Sequence, residues 1–327
     1  MAAIERTANG LRVEYRRTDL ESLDDDVLAA LVYGATPPRL DDARVVHVGL
    51  ACADGAPAIE LWRASAPVTI GRSGDIRFAS QGWFLFGCLE LQEQASGGIR
   101  SAAKAAYRLL LEFQKRQTQQ HLLRVWNHLH AINQGEGDLE RYRQFCVGRA
   151  SGLGDLPSAR LPAGTAVGRR DRPGLLQICW LAASHPGRPV GNPRQLQAYR
   201  YPRQHGPTPP SFSRAMLLPN DELMGSGTAS IVGHESVHGG DLAGQVEETL
   251  TNLRELRSAG DRARTNPRHA KCGNGAVAAK AYLRHGASAA WVAERITAGL
   301  PGTSSLLLLE ADICRRELLV EIECAWF

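Results

Sequence analysis

Apolar positions recur along the chain in two rhythms. One is alternation or short β-branched runs broken by Gly, Pro, Asp and Ser; the other is three-to-four spacing in Ala- and Leu-rich stretches. The first rhythm predicts strands over 43–49, 57–62, 68–77 and 82–91. The second predicts a helix over 99–117 with Ala102, Ala105, Ala106, Leu109, Leu110 and Phe113 on its buried face. A strand at 122–133 and a helix over 137–149 follow, with Asp138 placed to cap the helix N-terminus. Strands at 161–168 and 175–182 complete this half.

The same grammar then returns. Residues 221–233 read as a strand running into a loop, and 241–260 as an amphipathic helix striped by Leu242, Val246, Leu250 and Leu253. A strand at 275–286 and a helix over 288–300 come next. LPAGTAVG (161–168) before LLQICWLA (175–182) parallels LPGTSSLL (300–307) before LLVEIECAW (318–326). Each half therefore reads strand, helix, strand, helix, strand, strand, an α/β (α+β) module of mixed sheet with helices on one face. The Gly- and Pro-rich stretch SHPGRPVGNPRQ (184–195) serves as linker, giving modules at 1–185 and 186–327.

Composition supports a folded chain and narrows its partners. With 327 residues, 43% hydrophobic and 22% charged, the chain can bury a sizeable core in about two domains, which excludes disorder, collagen and coiled coil. A net charge of +4 gives no reason to expect nucleic acid or an anionic membrane as partner. Of 38 basic residues only four are lysines (104, 115, 271 and 280). Guanidinium is the group suited to gripping carboxylates through parallel hydrogen bonds, so arginine position matters more than total charge. Seven cysteines without a CxxC pair argue for a reducing compartment. The N-terminal residues lack a secretory apolar core and no run approaches a bilayer span, so a cytoplasmic location is expected.

GHESVH (233–238) carries His234, Glu235 and His238 in the spacing of zinc proteases. That chemistry needs both imidazoles one turn apart on a helix. A strand-like run precedes the motif and Gly239–Gly240–Asp241 follow it, which places it in a loop, and no third ligand is evident downstream; no metal is expected. GxxxxGK[ST], GxGxxG and GxSxG are absent, so ATP and NAD have no support.

Residues 194–214 combine Arg194, Arg200, Arg203 and Arg214 with Tyr199 and Tyr201 in a Pro-rich segment, and Arg149 ends the helix before it. Either these arginines are solvated on a surface loop, or they aim at a small dianion. In LLVEIECAW, alternation sets Glu321 and Glu323 on one face of a strand. Both face solvent, or one faces an apolar pocket and serves as a protonated general acid. Cys314 lies seven residues upstream of Glu321, near enough to sit in a neighbouring strand.

The runs 124–149, 161–168, 192–215, 225–241 and 311–323 together resemble the chorismatase family, in order and over most of the chain from about residue 40. Within it the chain is similar to the hydroxybenzoate-forming branches that feed pigment and quinone synthesis. The resemblance implies two fused RidA-like (YjgF-like) modules, with most of the pocket in the second and assembly as a monomer or trimer. It implies chorismate as the small-molecule substrate, with no cofactor. Glu321 would protonate the enol-ether methylene, after which pyruvate leaves the ring and 3-hydroxybenzoate forms, with 4-hydroxybenzoate as a second product. Glu323 is the other candidate acid.

Arg149, Arg203 and Arg214 would clamp the two carboxylates with Tyr201, while Gly227, Thr228 and Ala229 would let the ring approach the strand. Cys314 and Ala229, or Gly227 in its place, match positions that separate the 3-hydroxybenzoate type from the type that hydrolyses chorismate to a diol. The chain departs from the family pattern at His205, where the family carries a tyrosine. Enamine deamination, which the module fold alone would allow, lacks the arginine it would need in LPGTSSLLLLE. A catalytically silent sensor of aromatic acids is the remaining alternative.

Overall fold

The central strands of both halves are buried along both faces, which requires a covering layer on each side. In the computed structural model helices cover one face and a second sheet the other. Residues 10–17, 20–264, 275–284 and 288–327 are described; residues 1–9, Lys271, Cys272 and the end of the predicted strand 275–286 lie outside them.

Ahead of the repeats, β1 (Arg12–Arg16), β2 (Val27–Tyr33), β3 (Val45–His47) and β4 (Ala58–Arg63) form a sheet ordered β1-β4-β2-β3. The first half continues with β5 (Thr69–Ser73), β6 (Ile76–Gln81), β7 (Phe84–Gln92), α1 (Glu93–Ser96), α2 (Ile99–Gln114), β8 (His121–His130), α3 (Arg141–Leu153), β9 (Ala163–Arg169) and β10 (Leu175–Ala183). The second half contains β11 (Arg188–Val190), β12 (Ala215–Leu217), β13 (Leu223–Gly225), β14 (Thr228–Ala229), β15 (Ile231–Val232), β16 (Glu235–Ser236), α4 (Leu242–Ala263), β17 (Val277–Leu283), α5 (Ala289–Gly299), β18 (Thr303–Glu310), β19 (Asp312–Ile313) and β20 (Val320–Trp326).

The two larger sheets trace one path twice. The first runs β9-β8-β10-β7-β6-β5 and the second β18-β17-β20-β13-β12-β11. Only the equivalent pairs β8/β9 and β17/β18 are parallel within these paths; the other pairs are antiparallel. This is the duplicated module that the patterning predicted. Helices α2 and α3 cover the outer face of the first sheet through Ala102, Leu110 and Phe145 against Val125, Leu129 and Ile178. Helices α4 and α5 cover the second through Val246, Leu250 and Ile296 against Ala279, Ala281 and Ile322. The inner faces meet in a shared core where Trp62, Phe86 and Trp126 pack with Met224, Ala278 and Tyr282. No helix among the described residues is long and apolar enough to cross a membrane.

Several expectations need correction. On α2, Leu109 is exposed and Ala103 and Tyr107 are buried instead, because α3 packs against that side. The approach is close enough that a Cβ on Gly148 would lie 2.1 Å from the Arg100 carbonyl oxygen. Asp138 does not cap α3, which begins at Arg141 after a 3-10 turn (Gly137–Leu139); its carboxylate is taken by Arg203. The predicted strand 68–77 is a hairpin turning at Gly74, whose φ is 56°. The predicted strand 221–233 breaks into β13, β14 and β15. Strands β1 and β2 were not anticipated, although VLAALVY in β2 is buried throughout.

Two features of this frame build the site. Strand β14 pairs with β20 in a register that sets Ala229 opposite Glu321. Strand β19 leaves its own half and pairs with β9 of the first sheet, which carries Cys314 into the seam between the halves.

Candidate active site

Glutamates 321 and 323 share one face of β20, as the alternation predicted, but their surroundings differ completely. Glu323 accepts hydrogen bonds from Arg124 Nη2 (2.7 Å), Trp126 Nε1 (2.8 Å), Thr165 Oγ1 (2.7 Å) and Tyr282 Oη (3.2 Å). Lys280 Nζ lies 3.0 Å from its Oε1 and 2.7 Å from Glu60 Oε2. Burial by itself would raise the Glu323 pKa, but the Lys280 and Arg124 charges outweigh it and hold the carboxylate down to about 2. Glu323 is therefore a fixed anion.

Glu321 is 4% exposed and opens onto a cavity of about 350 Å³. Burial chiefly, and the negative Glu323 next, push its carboxyl up to about 8 against the opposing charges of Arg124 and Arg214. It is protonated at neutral pH, the state a general acid requires. The Cys314 thiol lies 4.0 Å from its Oε2. Burial, with Glu321 close by, pushes that thiol up, so Cys314 is a neutral SH rather than a thiolate. Gly227 is obligatory in shape: a Cβ there would stand 1.9 Å from Glu321 Oε1. Its N–H donates to Thr165 Oγ1 (3.0 Å), the same hydroxyl that donates to Glu323, so Thr165 ties the Gly227 backbone beside Glu321 to the fixed Glu323 anion.

Three guanidinium groups line the cavity with nitrogens that find no hydrogen-bond partner among the described residues: Nε and Nη2 of Arg149, Nε of Arg214 and Nη2 of Arg315. Arg149 is 3% exposed and lies over the Tyr107 ring at 5.0 Å. Arg214 Nη2 donates to the Leu196 carbonyl (2.5 Å) and Tyr201 Oη (2.6 Å), which leaves the phenol proton free to donate into the cavity. Arg315 Nη1 is held by the His234 carbonyl (2.9 Å) while its guanidinium faces the Tyr201 ring at 5.2 Å. Buried donors left unpaired cost free energy, so a cavity that collects them is shaped for an anion that pairs with them.

Residues 60–182 match the family model described as chorismatase FkbO/Hyg5-like, N-terminal. The chain is 35% identical over 320 residues to a chorismatase of Streptomyces hygroscopicus, covering 93% of this chain and 90% of that one. The chain belongs to the chorismatase family. A protein of S. hygroscopicus described as 3-hydroxybenzoate synthase is 32% identical over 292 residues, covering 85% and 84% of the two chains. A crystal structure of a chorismatase superposes with a TM-score of 0.84 at 32% identity, over 99% of this chain and 100% of that one.

Of the residues that the chorismatase resemblance singles out, Glu321, Cys314, Arg149, Tyr201, Arg214, Gly227 and Ala229 do line one cavity. Two do not. Arg203, expected in the clamp, has a side chain 66% exposed and grips Asp138 with both terminal nitrogens, Nη1 to Oδ1 at 3.0 Å and Nη2 to Oδ2 at 2.5 Å. The 3-10 turn Arg203–His205 points it outward. Thr228 alternates away from the cavity and donates to the Ser226 carbonyl. Arg315 supplies another guanidinium with a buried, unpartnered nitrogen instead, and Thr165, Tyr142 and Phe212 are among the other lining residues. Arg315 directly follows Cys314 and Thr165 sits in LPAGTAVG, so both lay within runs already noted, without a residue pattern to single them out.

The HExxH residues occupy a β-hairpin and the turn after it, not a helix. Val232 pairs with Glu235 across Gly233 and His234, and His238 has a φ of 60°. His205 lies beside them on the cavity wall, where burial first and Arg315 next push its imidazole down to about 4.

Proposed function

We propose that this protein converts chorismate to pyruvate and 3-hydroxybenzoate, with Glu321 as the proton donor. The observation that carries the reading is a protonated, buried carboxyl at the floor of a cavity whose walls present unpaired guanidinium N–H groups. Arg149, Arg214 and Arg315 would receive the ring carboxylate and the enolpyruvyl carboxylate, and the Tyr201 hydroxyl would donate to one of them. That grip sets the vinyl ether against Glu321 and uses binding energy at positions remote from the reacting carbon.

Glu321 transfers its proton to the methylene carbon and becomes a carboxylate. The vinyl ether becomes an oxocarbenium-like centre, whose positive charge the new carboxylate stabilises. The substrate's 4-hydroxyl oxygen adds to that centre as its proton returns to Glu321. Cleavage of the C4–O bond with loss of the C3 proton then makes the ring aromatic, and the resulting hemiketal anion releases pyruvate and a phenolate at C3 that takes up that proton. The two products together hold every atom of chorismate, so no water is consumed, whereas the hydrolytic branch adds one water to give a diol. The Cys314 thiol beside Glu321, at the position where the resemblance separates these branches, favours the 3-hydroxybenzoate outcome.

Incubation with chorismate followed by chromatography tests the proposal. The expected products are equimolar pyruvate and 3-hydroxybenzoate. A diol as the main product would refute the branch, and pyruvate at the uncatalysed rate would refute the activity.

A further inference from the structure

The leftover HExxH motif regains meaning once a residue from another segment is counted. His205 Nε2 lies 3.1 Å from His234 Nδ1, and Glu235 Oε1 lies 3.0 Å from that same nitrogen. All three donor atoms fall within 4.8 Å of one another. His205 comes from the turn after Tyr201 and the other two from the β15–β16 hairpin, so the cluster joins two segments that wall the cavity. We propose that His205, His234 and Glu235 form a binding site for a divalent transition-metal ion of the zinc class at the rim of the cavity.

The donor set supports this choice. Two imidazoles and one carboxylate suit borderline cations such as Zn²⁺ and do not suit Ca²⁺ or Mg²⁺, which favour oxygen. Ligand atoms roughly 2.0–2.1 Å from a tetrahedral ion stand about 3.3 Å apart, so the present separations need only small side-chain shifts. The ring of His205 also sits 5.2 Å from that of His234 at 72°, edge to face, which lets the two nitrogens converge instead of stacking.

Neighbouring groups orient the ligands. Gln204 Nε2 donates to Glu235 Oε1 at 2.7 Å, and Arg315 Nη1 holds both the His234 carbonyl and Ser236 Oγ. The His234 and Glu235 side chains are 32% and 58% exposed, so an ion reaches them from solvent. His238, the second histidine of the motif, takes no part: its Nε2 is turned to Glu248 Oε2 at 3.6 Å. The Arg315 charge close by opposes a cation and sets the expected affinity on the order of micromolar, well below that of a structural zinc site.

A bound ion would pin the 203–205 turn to the hairpin and stand apart from Glu321 at the cavity floor. The site does not depend on the identity of the substrate. It is tested with Zn²⁺ alone, by calorimetric titration of the full chain, and by the visible absorption of a Co²⁺ complex. One ion per chain is expected, with affinity weakened at least about tenfold in His205→Ala and in His234→Ala. Affinity should be unchanged in His238→Ala and in Cys314→Ser, with circular dichroism showing each variant folded. Failure to bind one ion per chain would overturn the proposal. So would binding that survives in the double variant His205→Ala/His234→Ala, or loss of binding in His238→Ala or Cys314→Ser, which would place the ion on other ligands.

Discussion

Glu321→Gln is expected to make the protein more stable while it stops turnover. In the folded chain the carboxyl ionises near pH 8, against an ordinary value of 4.5. Above pH 4.5 the unfolded chain gains about 1.4 kcal/mol per pH unit from ionising this group, and the folded chain gains nothing until pH 8. The stability that wild type holds below pH 4.5 is therefore lost progressively as pH rises to 8. The loss is about 1 kcal/mol at pH 5, about 3 at pH 7 and about 5 once the folded group has ionised. Glutamine is neutral, of the same shape and does not titrate, so the variant escapes this loss.

Urea unfolding followed by tryptophan fluorescence, with wild type and variant compared at pH 5, 6 and 7, reads the difference directly, since all other titrating groups cancel. The gain should grow from about 1 to about 3 kcal/mol across that range, while chorismate turnover falls roughly 10²–10⁴-fold. An absent gain at pH 7, or one equal at pH 5 and pH 7, would refute the assignment of a buried, protonated Glu321.

Other expectations follow from the same cavity. Arg149→Ala removes two unpartnered buried donors and should lower kcat/KM for chorismate by roughly 10²-fold with no loss of melting temperature. Glu323→Gln takes away the charge that helps raise Glu321, so the alkaline limb of kcat/KM, expected near pH 8, should move to lower pH. The same variant leaves Arg124 without its carboxylate and Lys280 with only Glu60, and should cost about 3–5 kcal/mol in urea unfolding. Gly227→Ala drives a methyl group into Glu321 Oε1; the far-ultraviolet circular dichroism should be retained and pyruvate release largely lost.

The duplicated module was legible because strand and helix periods are local properties, and each half repeats them in the same order. Both sheets then took the same path, with the parallel pair in the same place. Alternation also placed Glu321 and Glu323 on one face. The four-stranded sheet ahead of the repeats was only half visible, since β3 and β4 carried a strand signal while β2, an uninterrupted apolar run, carries no period that separates strand from helix.

Which glutamate keeps a proton was beyond local pattern. Arg124, 199 residues from Glu323 in sequence, and Lys280, on the neighbouring strand, converge on one carboxylate and leave the other unpaired by charge. The arginines divide in the same way. Arg203 and Arg214 read alike in a Pro-rich segment, yet Arg203 sits in a 3-10 turn and pairs with Asp138 in solvent, whereas Arg214 is held by the Leu196 carbonyl and Tyr201 and lines the cavity. Local pattern along the chain sets the repeated architecture, the residue types available for carboxylate binding and the paired acids on the last strand. Tertiary structure alone decided protonation, the membership of the clamp and the meeting of His205 with His234, because each depends on charges and surfaces brought together from distant segments.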